Sequence, residues 1–126
     1  MLQILTTSEN FWIGIKIETQ KQANEYIPIL LQTQARKRFV IVNPKSEFID
    51  LKNISIDLPS KTGQRYTYVD CLDKHFCGDT PFLGSVNWVI CQEGIRKWIT
   101  KLNNQCLEAQ VPFLFLKEWQ NILSSF

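Results

Sequence analysis

The sequence predicts an α/β domain in which two β-α-β units form a mostly parallel sheet or half-barrel, separated by an irregular insertion over residues 43–86. Three features carry that expectation. Two strand-like runs, 11–18 and 88–91, each lead directly into a stretch with apolar residues at three- and four-residue spacing. Each such stretch is followed by another apolar run, at 38–42 and 111–116. Strand, helix and strand joined by short loops imply right-handed crossovers between parallel strands.

"FWIGIKIE", residues 11–18, is aromatic and β-branched, and Gly14 within it predicts close approach of a neighbouring backbone. Thr19, with Gln22 three positions on, matches a capping box that starts a helix. Ala23, Tyr26, Ile27, Leu30 and Leu31 then share one helical face. Pro28 removes a donor inside that helix and predicts a kink. The cations of "QTQARKR" are expected to close it, where the helix dipole favours positive charge. "RFVIV", residues 38–42, is the following strand, stopped by Asn43-Pro44.

In the insertion, "FIDLKNISIDL" alternates weakly and is expected to add an edge strand, and "YTYVD" to form another. "PSKTGQR" is punctuated as a turn, and "CLDKHFCGDTPFLG" is a loop that holds the only histidine. Trp88 to Cys91 forms a short strand, and a helix starting near Glu93 buries Ile95, Trp98, Ile99, Leu102, Cys106 and Ala109. Trp12 and Trp88 are expected in the core through their strands. "VPFLFL", residues 111–116, carries no charge, the composition of a strand covered on both faces. A last short helix is expected around "KEWQNILSSF", packed over the sheet.

A length of 126 residues fits one domain, 1–126. The net charge of +2 is too small to argue for nucleic acid by itself. No apolar run approaches the roughly 20 residues of a spanning helix, and "MLQILTTSENFW" lacks the pattern of a secretory signal. A cytoplasmic protein without membrane association is expected, with Cys71, Cys77, Cys91 and Cys106 as reduced thiols.

Four groups of residues are candidates for chemistry. Cys71, His75 and Cys77, with Asp70, Asp73 and Asp79 around them, lie close enough in sequence to share a zinc ion, although their spacing matches no common zinc pattern. The same Cys and His could form a nucleophile and base, but no orienting group or oxyanion site accompanies them. Ordinary loop polarity is the competing reading. The strand-to-helix turns Glu18-Thr19-Gln20 and Cys91-Gln92-Glu93-Gly94 lie where parallel sheets bind ligands. Helix capping by Thr19 and Glu93 is the more economical account of them. "ARKR", with Arg36, Lys37 and Arg38, is a candidate nucleic-acid contact, which Lys16, Lys21, Arg65, Arg96, Lys97 and Lys101 could extend. Interleaved acids favour solvated faces instead.

Several stretches taken together resemble a known family. "NFWIGIKIETQKQANEYIPILLQT", "RFVIV" with "NP" and "IDL", "NWVI", "NQCLEAQVPFLF" and "KEW" occur in one order over residues 10–119. That series resembles the C-terminal half of a phage-associated, radical-SAM-like family of unknown function. The resemblance implies a (β/α) barrel whose N-terminal cysteine triad would hold a [4Fe–4S] cluster and SAM, and it leads to the expectation that this chain lacks the cluster-binding half. Where the family has Ser-Cys-Glu-Pro, this chain has Ile41-Val42-Asn43-Pro44, and where it has Gly-Gly-Glu-Ser-Gly, this chain has Cys91-Gln92-Glu93-Gly94. The family's Lys-Gln-Trp is echoed by Lys117-Glu118-Trp119.

A cluster needs three converging thiolates, and the four cysteines here form no such run. The expectation is therefore a domain without a cofactor and not catalytic alone, which binds a protein or a small ligand. Glu18, Thr19, Asn43, Gln92, Glu93 and Lys117 are the ligand-contact candidates. Open sheet edges invite pairing, which predicts a homodimer completing a barrel-like assembly. The alternatives are a subunit of a split SAM-dependent enzyme and a nucleic-acid-binding phage or defence-related protein.

Overall fold

The computed structural model describes residues 2–6, 11–59, 63, 65–74 and 81–116. Its strands are β1 (Leu2–Thr6), β2 (Phe11–Ile17), β3 (Lys37–Val42), β4 (Ile54–Pro59), β5 (Arg65–Val69), β6 (Trp88–Cys91) and β7 (Phe113–Phe115). The helices are α1 (Gln20–Gln32) and α2 (Arg96–Ala109). Five strands form the main sheet in the order β1-β2-β3-β6-β7. The four from β2 onward are parallel and follow chain order, and β1 pairs antiparallel with β2. The α/β architecture with a mostly parallel sheet is thus as expected from the sequence.

Alternation along the strands sorts the sheet into two faces. Ile13, Ile15 and Ile17 of β2, Val40 and Val42 of β3 and Val89 of β6 are buried in one apolar cluster with the inner sides of both helices. On α1, Ala23, Ile27, Leu30 and Leu31 are almost fully buried. Burying three large aliphatic side chains stabilises by roughly 1.5–3 kcal/mol each, which exceeds the ~3 kcal/mol that a proline costs inside a helix. Pro28 is therefore tolerated within α1. The capping box forms as expected: Thr19 Oγ1 accepts from Gln22 N at 3.1 Å, and Gln22 Oε1 accepts from Glu18 N at 2.7 Å.

The cation at the end of α1 is one of those predicted, the last residue of "QTQARKR", but it acts from the next strand and not from the helix itself. No basic residue lies in its last turn. Instead Arg38, on β3, donates through Nε to Leu30 O at 3.2 Å and through Nη2 to Thr33 O at 2.6 Å. The guanidinium lies so close to Gly84 that a Cβ there would stand 2.4 Å from Nη1. Gly14 likewise admits a neighbour, although a side chain rather than backbone: a Cβ on it would meet the Phe39 ring at 2.2 Å. Gly14 and Phe39 are paired in the β2–β3 register.

Three further expectations are corrected. The first strand, β1, lies outside the predicted elements. The insertion contributes no strand to the main sheet: β4 and β5 pair with each other as a separate antiparallel sheet. Other parts of it are threaded into the core through Ile49, Leu51, Cys71, Leu72 and Val86. A polar clamp pins the stretch around Asp50 to both helices. Gln20 exchanges hydrogen bonds with the Asp50 backbone, and Gln105 Nε2 donates to Asp50 Oδ1 at 2.9 Å. Lastly, β7 stands at the edge of the sheet among the described residues, not inside it. The expected helix around 117–126 lies outside the described residues.

Trp12 and Trp88 occupy the second face of the sheet, opposite the helices, with ring centroids 5.9 Å apart. They pack on each other rather than in the core. Trp88 keeps 37% of its surface exposed.

Candidate ligand-binding site

Parallel strands bring their carboxyl ends to one side of the sheet, and there the residues after β2, β3 and β6 meet. Asn43, immediately after β3, is fully buried. Its Oδ1 accepts from Gln92 N at 2.9 Å and Glu93 N at 3.2 Å, and its Nδ2 donates to Gln92 Oε1 at 3.3 Å. The Asn43 amide itself donates to Ile17 O at 3.0 Å. One residue thereby ties three adjacent strand ends together.

Pro44 continues the link. Its carbonyl accepts from Ile95 N at 2.9 Å, and a Cβ on Gly94 would stand 2.8 Å from the same oxygen. Gly94 thus serves close backbone approach between the β3 and β6 turns. The Gly94-Ile95 segment delays α2 until Arg96, three residues beyond the predicted start. Glu93 does not cap the helix. Its carboxylate pairs with Lys45 Nζ at 2.7 Å, and α2 has neither a side-chain cap nor an acid in its first turn. The hydrogen bond that Lys45 donates to Glu93 raises the Lys45 pKa; burial opposes it, and the charges of Glu18 and Glu93 add smaller upward effects.

Lys45, Glu93, Gly94, Ile95 and Phe115 line a cleft of about 320 Å³. An ion pair stands on one wall, with Phe115 and the exposed Ile95 as apolar surface. Of the predicted ligand contacts, Asn43, Gln92 and Glu93 meet directly here, and Glu18 contributes its charge. Thr19 is taken up by helix capping. Lys117 lies outside the described residues. Lys45 is a lining residue that sequence reasoning misses, although its position two residues beyond Asn43 on the same strand-end turn is a usable signal.

Of the zinc candidates Cys71, His75 and Cys77, only Cys71 lies among the described residues. It is buried in the apolar cluster, where its Sγ donates to Leu51 O at 3.2 Å. Burial, with a smaller effect of Asp70, pushes its thiol pKa well above the ordinary value. That disfavours the thiolate a zinc ion needs. Among the described residues, no group of three His, Cys, Asp or Glu side chains could hold a metal. Cys71, Cys91 and Cys106 are free thiols. Burial raises Cys91 to about 11 and Cys106 to about 12.

The cationic candidates divide. Arg36 and Lys37 are exposed, whereas Arg38 is 5% exposed and engaged with the carbonyls ending α1. Burial lowers its pKa. Arg36 and Lys37 stand at the amino ends of the strands, while Arg96, Lys97 and Lys101 start from the carboxyl end. About 15–20 Å of strand separates those ends, so they form no single patch. Arg65 pairs with Asp57, and Lys97 and Lys101 lie over the rings of Trp98 and Phe48.

No helix among the described residues is long and apolar enough to cross a membrane. No curated protein and no solved structure matches the chain. A family model described as "Protein of unknown function (DUF5131)" matches residues 1–124, and with nearly its whole length covered the chain belongs to that family.

Proposed function

We propose that this protein is a binding domain that does not catalyse alone, and that its ligand occupies the cleft at the carboxyl ends of β3, β6 and β7. The observation that carries the reading is the engagement of the strand-end polar groups. Asn43 and the Gln92-Glu93 amides hold the turn, and Glu93 pairs with Lys45. Groups held in this way shape a cleft and offer no poised nucleophile or base. A volume near 320 Å³ sits at the lower end for small-molecule sites. Phe115 and Ile95 suit the apolar body of a small ligand, and Lys45 and Glu93 can each receive an opposite charge from it. A partner protein inserting one such side chain would use the same chemistry.

The test is a titration of the isotopically labelled chain with amino acids, nucleosides and S-adenosylmethionine. Saturable NMR shifts at Lys45, Gly94, Ile95 and Phe115, reduced in Lys45→Ala, support the reading. Their absence for every probe up to millimolar concentration refutes it.

The parallel chain-order strands favour a second reading, a subunit of a split SAM-dependent enzyme. Against it stands β1, which occupies the outer edge of β2 where a completing parallel strand would pair. Stoichiometric iron and sulfide in protein purified without oxygen would favour the split enzyme over the simple binding domain.

A further inference from the structure

The two edges of the main sheet differ in kind. β1 covers β2 over five register pairs, from Leu2↔Ile15 to Thr6↔Phe11. At the other end β7 has a neighbour only on its β6 side among the described residues. Its composition is that of an interior strand, Phe113-Leu114-Phe115 within an uncharged "VPFLFL". The three residues are half-buried, and apolar edges of this kind are normally blunted by charge or cover. A closed barrel from two copies would need the outer edges of both β2 and β7, and β1 holds the first.

The hydrogen-bond phase of β7 identifies what its free side offers. Val89 N donates to Pro112 O, so Pro112 and, by alternation, Leu114 direct their backbone groups toward β6. Phe113 and Phe115 then direct theirs outward. The tripeptide is a palindrome. A two-fold axis at Leu114 would set Phe113 against Phe115 of a second copy as hydrogen-bonded pairs, and Leu114 against Leu114 as the close non-bonded pair. Like would face like on both sides of the sheet, with no charge opposed to its equal.

Helix α2 supplies an independent observation. Lys101, Gln105 and Glu108 point toward the 48–52 stretch, through contacts with Phe48, Leu51 and Lys52. At about 100° per residue, Asn103 and Leu107 fall on the opposite flank, the one toward the β7 edge. Leu107 is 67% exposed. Strands pair about 4.8 Å apart. A helix over the β6–β7 midline would then lie about 10 Å from its symmetry mate, within normal helix-packing distance.

From these observations we infer that β7 is a dimerisation edge, which pairs antiparallel with β7 of a second copy to make one continuous sheet flanked by two adjoining α2 helices. The assembly is open, not a closed barrel.

Sedimentation equilibrium of the full chain tests this, together with Leu107→Glu and Leu114→Cys variants. Leu107→Glu changes an exposed side chain and should leave the thermal melt intact while weakening the dimer at least tenfold. Leu114→Cys should give a disulfide-linked dimer on mild oxidation, with the new thiol joined to its own copy in the second chain. A purely monomeric parent at high concentration overturns the inference. So does a dimer that Leu107→Glu leaves unchanged and that the Leu114→Cys variant fails to cross-link.

Discussion

Replacing Asn43 with alanine should loosen the strand-end turn more than any other single truncation near the cleft. The side chain is fully buried and accepts from two backbone amides. Each such bond contributes about 1 kcal/mol net, and a donor stranded away from water costs roughly 1–3 kcal/mol. Gln92 and Glu93 are exposed residues, so water can reach part of the turn and the full penalty does not apply twice. The expected loss is about 2–3 kcal/mol, a fall in Tm on the order of 10 °C for a domain of this size. Urea unfolding gives the global value. Native-state hydrogen exchange gives the local one, because the Gln92 and Glu93 amides should lose protection before the amides of α1. Asn43→Asp keeps the acceptor oxygen that both amides share, loses only the Nδ2 donor to Gln92, and should be milder than Asn43→Ala at neutral pH. The reasoning fails if Asn43→Ala unfolds within about 0.5 kcal/mol of the parent, or if protection at residues 92 and 93 is unchanged.

Asp50 should set part of the acid limb of stability. Burial alone would raise its pKa, but hydrogen bonds from Asn53, Gln105 and Lys52 outweigh this and hold it below the ordinary carboxylate value. A depressed acid stabilises above its unfolded pKa, and that contribution is lost as pH falls through the folded value. Asp50→Asn should therefore flatten the loss of stability below about pH 4, and an unaltered acid limb would refute the role. Asp70 works in the opposite sense, since burial raises its pKa, so the comparison needs the parent curve on the same buffers. Gly14→Ala places a methyl group within the Phe39 ring and should cost about 1–3 kcal/mol by overpacking. Pairing it with Phe39→Leu should recover part of that loss in a double-mutant cycle, and strict additivity would exclude the contact.

What the chain reveals by itself is local, and what it hides is set by partners far away in sequence. Thr19 and Gln22 announce a capping box because both halves lie within one turn, and the box forms. The α1 stripe is legible for the same reason. The end of α1 is legible in part: the stretch "QTQARKR" does supply the cation, but its working member is Arg38, already in the next strand. The start of α2 is not legible, because Ile95 is held by Pro44, a partner across the sheet. Asn43 stands out in the sequence as part of the Asn43-Pro44 stop that ends the second strand. Its hold on Gln92 spans 49 residues, and no spacing rule reveals a bond of that reach.

That contrast bears on what the strand ends are for. Asn43, Gln92 and Glu93 are polar residues where parallel sheets bind ligands, and they do converge. Convergence alone does not make them ligands, because a buried asparagine with its oxygen filled by two amides has no acceptor capacity left to give away cheaply. Lys45, Ile95 and Phe115 line the cleft without that commitment, so they can meet an incoming molecule at little structural cost. Substitutions at Asn43 should act on binding only through the shape of the turn, with stability lost in proportion. Substitutions at Lys45, exposed and joined to Glu93 by a surface ion pair, should change affinity while stability holds. A stability loss at Lys45→Ala as large as that of Asn43→Ala would reverse the assignment of which residues hold the turn and which face the ligand.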